Sequence, residues 1–195
     1  MIRNYDSAAD SYVGTTSAAA SAAAVANEFI KLGIEESGVP SVDQMKLQKL
    51  LFYAHAWHLA IHNRPLFEED FEAWPWGPVV RNVYYETKKY GRNRITSPIH
   101  DLKIVDDHGG FDVKFYAPTI PDSAAGVRDF LRAVWDAHKN FTGIQLSNAT
   151  HAPGEPWTIV RDRYGSLGGK PTIPNELIAA VFRKKLNNVA KDPES

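Results

Sequence analysis

One stretch, Lys46 to Ala60, constrains the fold of this chain more than any other. On a helical wheel, a wide apolar stripe on one side contains Leu47, Leu50, Leu51, Ala54, Trp57 and, just after the stretch, Ile61. Phe52 and Leu59 form a smaller apolar group on another side. The remaining face carries Lys46, Lys49 and Tyr53, which we expect to point outward. A helix that is apolar on most sides must be surrounded by other elements. The sequence therefore predicts a central, buried helix.

Helical spacing of apolar residues predicts further helices along the chain. They cover residues 22–37, 41–62, 78–90, 124–138, 144–150 and 157–164, and a last one begins at Pro174. Ser41 to Gln44 has the form of a capping box, and Pro78 suits a first helical position. The alternation of Ile104-Val105 with residues 111–116, around 107–110, predicts a β-hairpin.

We therefore expect a mainly α, single-domain helical bundle around a central helix, with the hairpin as a minor β component. A polar, Ser/Ala-rich tail over residues 1–21 precedes the predicted domain, residues 22–190. At 195 residues, 44% of them hydrophobic, the chain can bury roughly 70% of its unfolded surface.

Charge and cysteine content exclude several functions. The chain contains no cysteine, which removes disulfides, thiolate zinc sites and cysteine nucleophiles. A net charge of −1 gives no overall attraction to nucleic acid. No segment approaches membrane-spanning length, and we expect a cytoplasmic protein.

Three histidines, His55, His58 and His62, share one side of the central helix and could in principle bind a metal ion. Three ligands on one straight helix cannot easily converge on one ion, and the His-Glu-x-x-His pattern is absent. We prefer a partly buried His58 that is hydrogen-bonded to a neighbouring element. No metal or cofactor is predicted.

A second polar group combines Ser147, Thr150 and His151, which suggests a nucleophile and its base. The glycine-framed serine of hydrolases is missing, since Ser147 stands between Leu146 and Asn148. We prefer a structural role in which Thr150 and His151 fix the end of a short helix.

Tryptophan is the residue type that most favours a binding function. Trp57 faces the apolar stripe and is expected in the core, whereas Trp74 and Trp76 lie on a proline-stiffened turn. Large amphipathic rings dominate binding hot spots. A core role and an interface role are both open for these two residues.

Several separated motifs occur along the chain. The first is Lys46 to Leu51 with Tyr53-Ala54 and Trp57-His58. The others are Trp76-Gly77-Pro78-Val79-Val80 with Tyr84, then Leu146-Ser147, Thr150-His151 and Pro156-Trp157. Taken together, these motifs resemble those of the Panacea-domain antitoxins, both SocA-like and phage-associated GepA-like, although His55 replaces a glutamine that is frequent in the family. The resemblance runs from about Ala24 to Phe182 and does not include the predicted hairpin.

The resemblance implies an antitoxin that binds a cognate protein toxin and has no catalytic residues. We expect Lys46, Lys49, Tyr53, Trp74 and Trp76 to contact the toxin, and Trp57, His58, Gly77, Pro78, Thr150, His151 and Trp157 to build the scaffold. Three alternatives are open. These are a metal-dependent or histidine-based hydrolase that reverses a toxin's modification, a regulator that binds its own operator DNA, and an adaptor that delivers the toxin to a protease.

Overall fold

A computed structural model describes residues 18–107 and 110–191. Its helices in this part of the chain are α1 (Ala22–Ser37), α2 (Gln44–His62), α3 (Arg81–Thr87), α4 (Ala125–His138), α5 (Gly143–Thr150), α6 (Pro156–Tyr164) and α7 (Asn175–Lys191). Its strands are β1 (Phe71–Trp74), β2 (Gly77–Val80), β3 (Asp101–Asp107), β4 (Gly110–Tyr116) and β5 (Thr172–Ile173). The predicted mainly α bundle with a minor β component is confirmed.

The central helix is α2, as predicted. It contacts α1, α3, α4, α5, α7 and strand β2. Leu50, Leu51 and Phe52 are fully buried, and Phe52 meets Phe71 of β1 and Phe182 of α7 edge to face. Neighbours on nearly every side explain why this segment is apolar almost all round.

The ends of α1 follow from local chemistry. The Ser21 hydroxyl accepts a hydrogen bond from the amide of Ala24, and Gly38 closes the helix with a φ of 71°. At α2 the predicted capping box is wrong, because Asp43 is the residue that caps the helix, through the amide of Lys46. Ser41 instead donates to the carbonyl oxygen of Gly33.

Two small antiparallel sheets accompany the helices. One has the strand order β2-β1-β5, and the other is the hairpin of β3 and β4. The hairpin confirms the sequence prediction but begins earlier, at Asp101, and two residues of its turn, 108–109, lie outside the described residues. The first sheet was not predicted.

The predicted start of a helix at Pro78 is wrong. Residues 77–80 form strand β2, and the helix begins at Arg81. Because β2 is at the edge of its sheet, Pro78 does not interrupt hydrogen bonding between strands.

The N-terminal tail falls mainly on residues 1–17, outside the described residues. From Ala18 the chain is tied to the loop after α2, through hydrogen bonds from Ala18 to Glu68 and from Ala20 to Leu66. Among the described residues, no helix combines the length and apolarity needed to cross a membrane.

Candidate functional site

The motif Trp74-Pro75-Trp76-Gly77 is a tight turn between β1 and β2. Trp74 pairs with Gly77, so that Pro75 and Trp76 form a two-residue connection. Proline suits the second position of a β-turn and glycine the fourth, and Gly77 has a φ of 100°. We call residues 71–80 the tryptophan hairpin.

Alternate carbonyl groups of the tryptophan hairpin are held by side chains from three helices. Each of these carbonyl oxygens accepts a hydrogen bond from one side chain. The donors are Trp157 Nε1 to Trp74 (2.8 Å), Ser147 Oγ to Trp76 (2.9 Å), Lys49 Nζ to Pro78 (2.9 Å) and Gln48 Nε2 to Val80 (3.4 Å). Buried carbonyl groups cost free energy unless they accept hydrogen bonds. Helices α2, α5 and α6 therefore fix this backbone at four positions between Trp74 and Val80.

The side-chain amide of Gln48 pairs with the backbone of β2 at Val80, as a residue of a neighbouring strand would. In addition to its bond to the Val80 carbonyl, its Oε1 atom accepts a hydrogen bond from the Val80 amide at 2.8 Å. A side-chain amide carries one acceptor and two donors, so it can copy the pairing of a peptide group. The edge of β2 is closed by a helix and not by a further strand.

Gly77 allows the hairpin to approach the helices closely. A Cβ atom at this position would lie 2.6 Å from Lys49 Nζ and 2.7 Å from Thr150 Oγ1. Both contacts are far shorter than a van der Waals separation. Only glycine fits this backbone conformation and this space together.

The ammonium group of Lys49 lies in an unusual environment. The residue is 1% exposed, and burial lowers its pKa to about 7. Near neutral pH the group therefore exists partly without its charge. The prediction that Lys49 points outward is wrong, because the hairpin covers it.

Lys46 and Tyr53 are also less accessible than predicted. Lys46 is buried, with Nζ donating to the carbonyl oxygen of Lys139 at 2.6 Å and lying 5.3 Å from the ring centre of Trp135. Tyr53 is half-buried and stacks on His138 at 4.6 Å. For Lys46 the outward placement is wrong, because α4 packs over the start of α2.

Ser147, Thr150 and His151 form one hydrogen-bonded group at the end of α5. Thr150 Oγ1 and His151 Nδ1 each bond to the carbonyl oxygen of Ser147 at 2.7 Å. The His151 ring also meets the Trp157 indole edge to face, at 3.9 Å between centres. These contacts fix the positions of Ser147 and Trp157, whose side chains donate two of the hydrogen bonds to the tryptophan hairpin.

The two indoles of the hairpin have different surroundings. Trp74 is half-buried: its Nε1 donates to Glu72, its ring packs on Tyr84, and Lys170 Nζ lies 3.7 Å from the ring centre. Trp76 is 72% exposed. A rigid backbone therefore presents one large amphipathic ring to solvent.

The histidines of α2 are oriented by neighbouring groups. His58 is buried and donates through Nδ1 to the carbonyl oxygen of Arg64, and burial lowers its pKa to about 4. His55 is fully buried, with Nε2 donating to Asn175 Oδ1 at 2.9 Å, and burial lowers its pKa to about 4 as well. In the described ranges, no group of three or more histidine, aspartate or glutamate side chains could hold a metal ion.

The last scaffold residue is Trp57 of α2. It is half-buried and meets Phe182 of α7 edge to face at 4.9 Å. It joins α2 to α7.

The side chains from three helices that surround the tryptophan turn all lie in a segment that matches a known protein family. Residues 47–158, more than half of the chain, match the model of the family described as antitoxin SocA-like, Panacea domain. The chain belongs to this family.

A curated relative agrees with the assignment. Antitoxin SocA of Caulobacter vibrioides (strain NA1000 / CB15N) is 29% identical over 153 residues, which is 78% of this chain and 78% of the relative. No solved structure matches significantly. Membership supports an antitoxin role, implies a cognate toxin as partner and favours a non-enzymatic function.

Gln48 is the residue of this site whose role the sequence did not indicate. A glutamine beside Leu47 on a buried helix is itself a signal, since a buried amide must find partners. The partner lies 32 residues away, on an edge strand that the sequence did not predict.

Proposed function

We propose that this protein neutralises a cognate protein toxin by binding it directly, through a surface centred on the tryptophan hairpin. The observation that carries the proposal is the exposure of Trp76 on a backbone whose carbonyl groups are held at 74, 76, 78 and 80. Because this backbone is already ordered, binding through the Trp76 ring restricts only the torsions of the side chain.

The helix that holds the Trp76 carbonyl group also exposes an apolar side chain. Ser147, which binds this carbonyl group, lies on α5, and Ile144 one turn earlier is 65% exposed. Phe141, just before α5, is 47% exposed. Exposed apolar side chains are available on this part of the surface for contact with a partner.

The hydrolase alternative has weaker support. The Thr150 hydroxyl is fully buried, and both it and His151 Nδ1 bond to the same backbone oxygen. A nucleophile and its base would need access to substrate and a bond to each other. Their contacts fit a supporting role for the hairpin.

Co-expression with the neighbouring gene product tests the proposal. We expect that the neighbour's product alone arrests growth in the cytoplasm, that this chain restores growth, and that the two proteins co-purify as a stoichiometric complex. Rescue without a complex would contradict direct binding. A complex that forms without rescue would contradict neutralisation.

A His151→Ala variant separates the binder from the hydrolase. If the variant stays folded, as judged by circular dichroism, a binder should still protect cells. Loss of protection with an intact complex would favour catalysis instead.

A further inference from the structure

The β3–β4 hairpin has an apolar face that its own protein does not cover. Residues paired across the two strands share a face, as Leu102 does with Phe115 and Ile104 with Val113. The five apolar residues of this face are Leu102 (56% exposed), Ile104 (69%), Phe111 (87%), Val113 (52%) and Phe115 (74%). We call them the apolar ladder.

This hairpin is also incomplete as a sheet. Among the described residues, β3 and β4 pair only with each other, so the outer edge of β4 has no strand beside it. A two-stranded sheet is marginally stable by itself, and a third or fourth strand stabilises it. The free edge of β4 is a place where another strand can add.

The sequence of β4 is complementary to itself. When Phe111-Asp112-Val113-Lys114-Phe115 runs antiparallel to a second copy and is centred on Val113, Asp112 of each copy faces Lys114 of the other. On the ladder face, Phe111 meets Phe115 of the second copy and Val113 meets Val113. Each of these cross-strand pairs is favourable in an antiparallel sheet.

The other edge of the hairpin can form only a short version of this pairing. Centred on Leu102, two copies of β3 would also place Asp101 opposite Lys103, but only three residues of the strand would pair, because β3 begins at Asp101. Two copies of β4 centred on Val113 pair over the whole strand and add the two phenylalanine pairs. The length of the paired segment therefore favours β4 as the edge that pairs.

We propose that a second copy of this chain adds to β4, and that two molecules form one four-stranded sheet of order β3-β4-β4-β3 around a two-fold axis. Such an interface is isologous, with Asp112 and Lys114 contributing the same ion pair twice. The two apolar ladders become one continuous face on the dimer. This proposal is independent of toxin binding.

Charge reversal at the proposed β4–β4 interface tests the pairing in the full-length protein. Sedimentation equilibrium should show the wild type in a concentration-dependent equilibrium between 21.7 kDa and twice that mass. Asp112→Lys and Lys114→Asp should each weaken dimerisation at least tenfold, because every ion pair becomes a repulsion. Both residues are exposed, so circular dichroism should show wild-type helix content in each variant.

Mixing the two variants gives a specific rescue. An equimolar mixture of Asp112→Lys with Lys114→Asp should dimerise like the wild type, because each lysine again faces an aspartate. The double variant carrying both changes should also dimerise. Lys103→Asp, on the other strand, is the matched control and should leave the equilibrium unchanged.

Three results would overturn the proposal. The first is a wild type that stays monomeric up to about 100 μM, which corresponds to a very weak interaction. The second is a dimer that tolerates both single reversals. The third is loss of the dimer in both variants without recovery in the mixture.

Discussion

The buried ammonium group of Lys49 donates a hydrogen bond to the carbonyl oxygen of Pro78 over 2.9 Å. The bond joins the central helix to the tryptophan hairpin at a point where a carbonyl group of β2 would otherwise lack a partner. It gives Lys49 a structural role in place of the toxin contact expected from the sequence. It also makes the folding of the hairpin depend on pH.

Stability should rise with pH because of Lys49. Its pKa is about 7 in the folded protein against 10.5 for the ordinary side chain, so between these values the unfolded chain binds more protons. The free energy of unfolding should therefore increase from pH 7 toward pH 10, with a slope of up to about 1.4 kcal/mol per pH unit from this group. Below pH 7 the burial penalty of the charged form is fully present.

Lys49→Met isolates this contribution. Urea unfolding at pH 7, 8 and 9 should show a smaller slope for the variant than for the wild type, since titrations at other sites cancel in the comparison. Lys31→Met, at an exposed position of α1, is the control and should keep the wild-type slope. Equal slopes for Lys49→Met and the wild type would show that the buried amine titrates normally.

Gly77→Ala should destabilise the protein by about 3 kcal/mol. The substitution combines a strained positive φ of 100° with contacts of 2.6 and 2.7 Å to Lys49 and Thr150. Gly38→Ala is the matched control, because its φ of 71° carries strain while nothing lies within 4 Å of a new Cβ atom, and it should cost about 1 kcal/mol. Denaturant unfolding checks both values. Similar losses for the two variants would refute the close approach at Gly77.

Mild acid should destabilise the fold through His55. Burial lowers its pKa to about 4 from 6.5, so between these values the unfolded chain binds more protons and stability falls as pH falls. His55→Gln keeps a donor toward Asn175 and removes the titration. Between pH 7.5 and 5 the wild type should lose about 2 kcal/mol more than this variant.

A control at an exposed histidine completes that test. His100→Gln should lose stability with acid just as the wild type does, because His100 is exposed. If His55→Gln behaves like His100→Gln, the buried imidazole at position 55 is not a source of acid sensitivity.

The central helix could be predicted because its evidence is local. The apolar patterns of residues 22–37 and 47–61 act within a few residues, and both helix predictions agree with the structure. The start of α2 was harder, because Ser41 and Asp43 can both cap a helix. Asp43 caps the helix because the Ser41 hydroxyl instead donates a hydrogen bond to the carbonyl oxygen of Gly33, in α1.

Strand β2 could not be predicted from its own residues. Gly77-Pro78 followed by valines has the local signature of a helix start. The partners that keep it extended are β1, across the turn, and Gln48, 32 residues away. The burial of Lys49 has the same origin. A helical wheel places Lys49 on the least apolar side of α2, but it contains no information about a hairpin that packs there.

The affinity for the toxin of a Trp76→Ala variant tests the account most directly, once the neighbouring gene product has been purified. Ile61→Ala, which truncates a 51% exposed side chain on α2, serves as the control. Titration calorimetry should show binding weakened roughly 30-fold or more by Trp76→Ala, the effect of losing a hot-spot aromatic, with unfolding unchanged and Ile61→Ala close to the wild type. A Trp76→Ala variant that binds within threefold of the wild type would contradict the role assigned to the tryptophan hairpin.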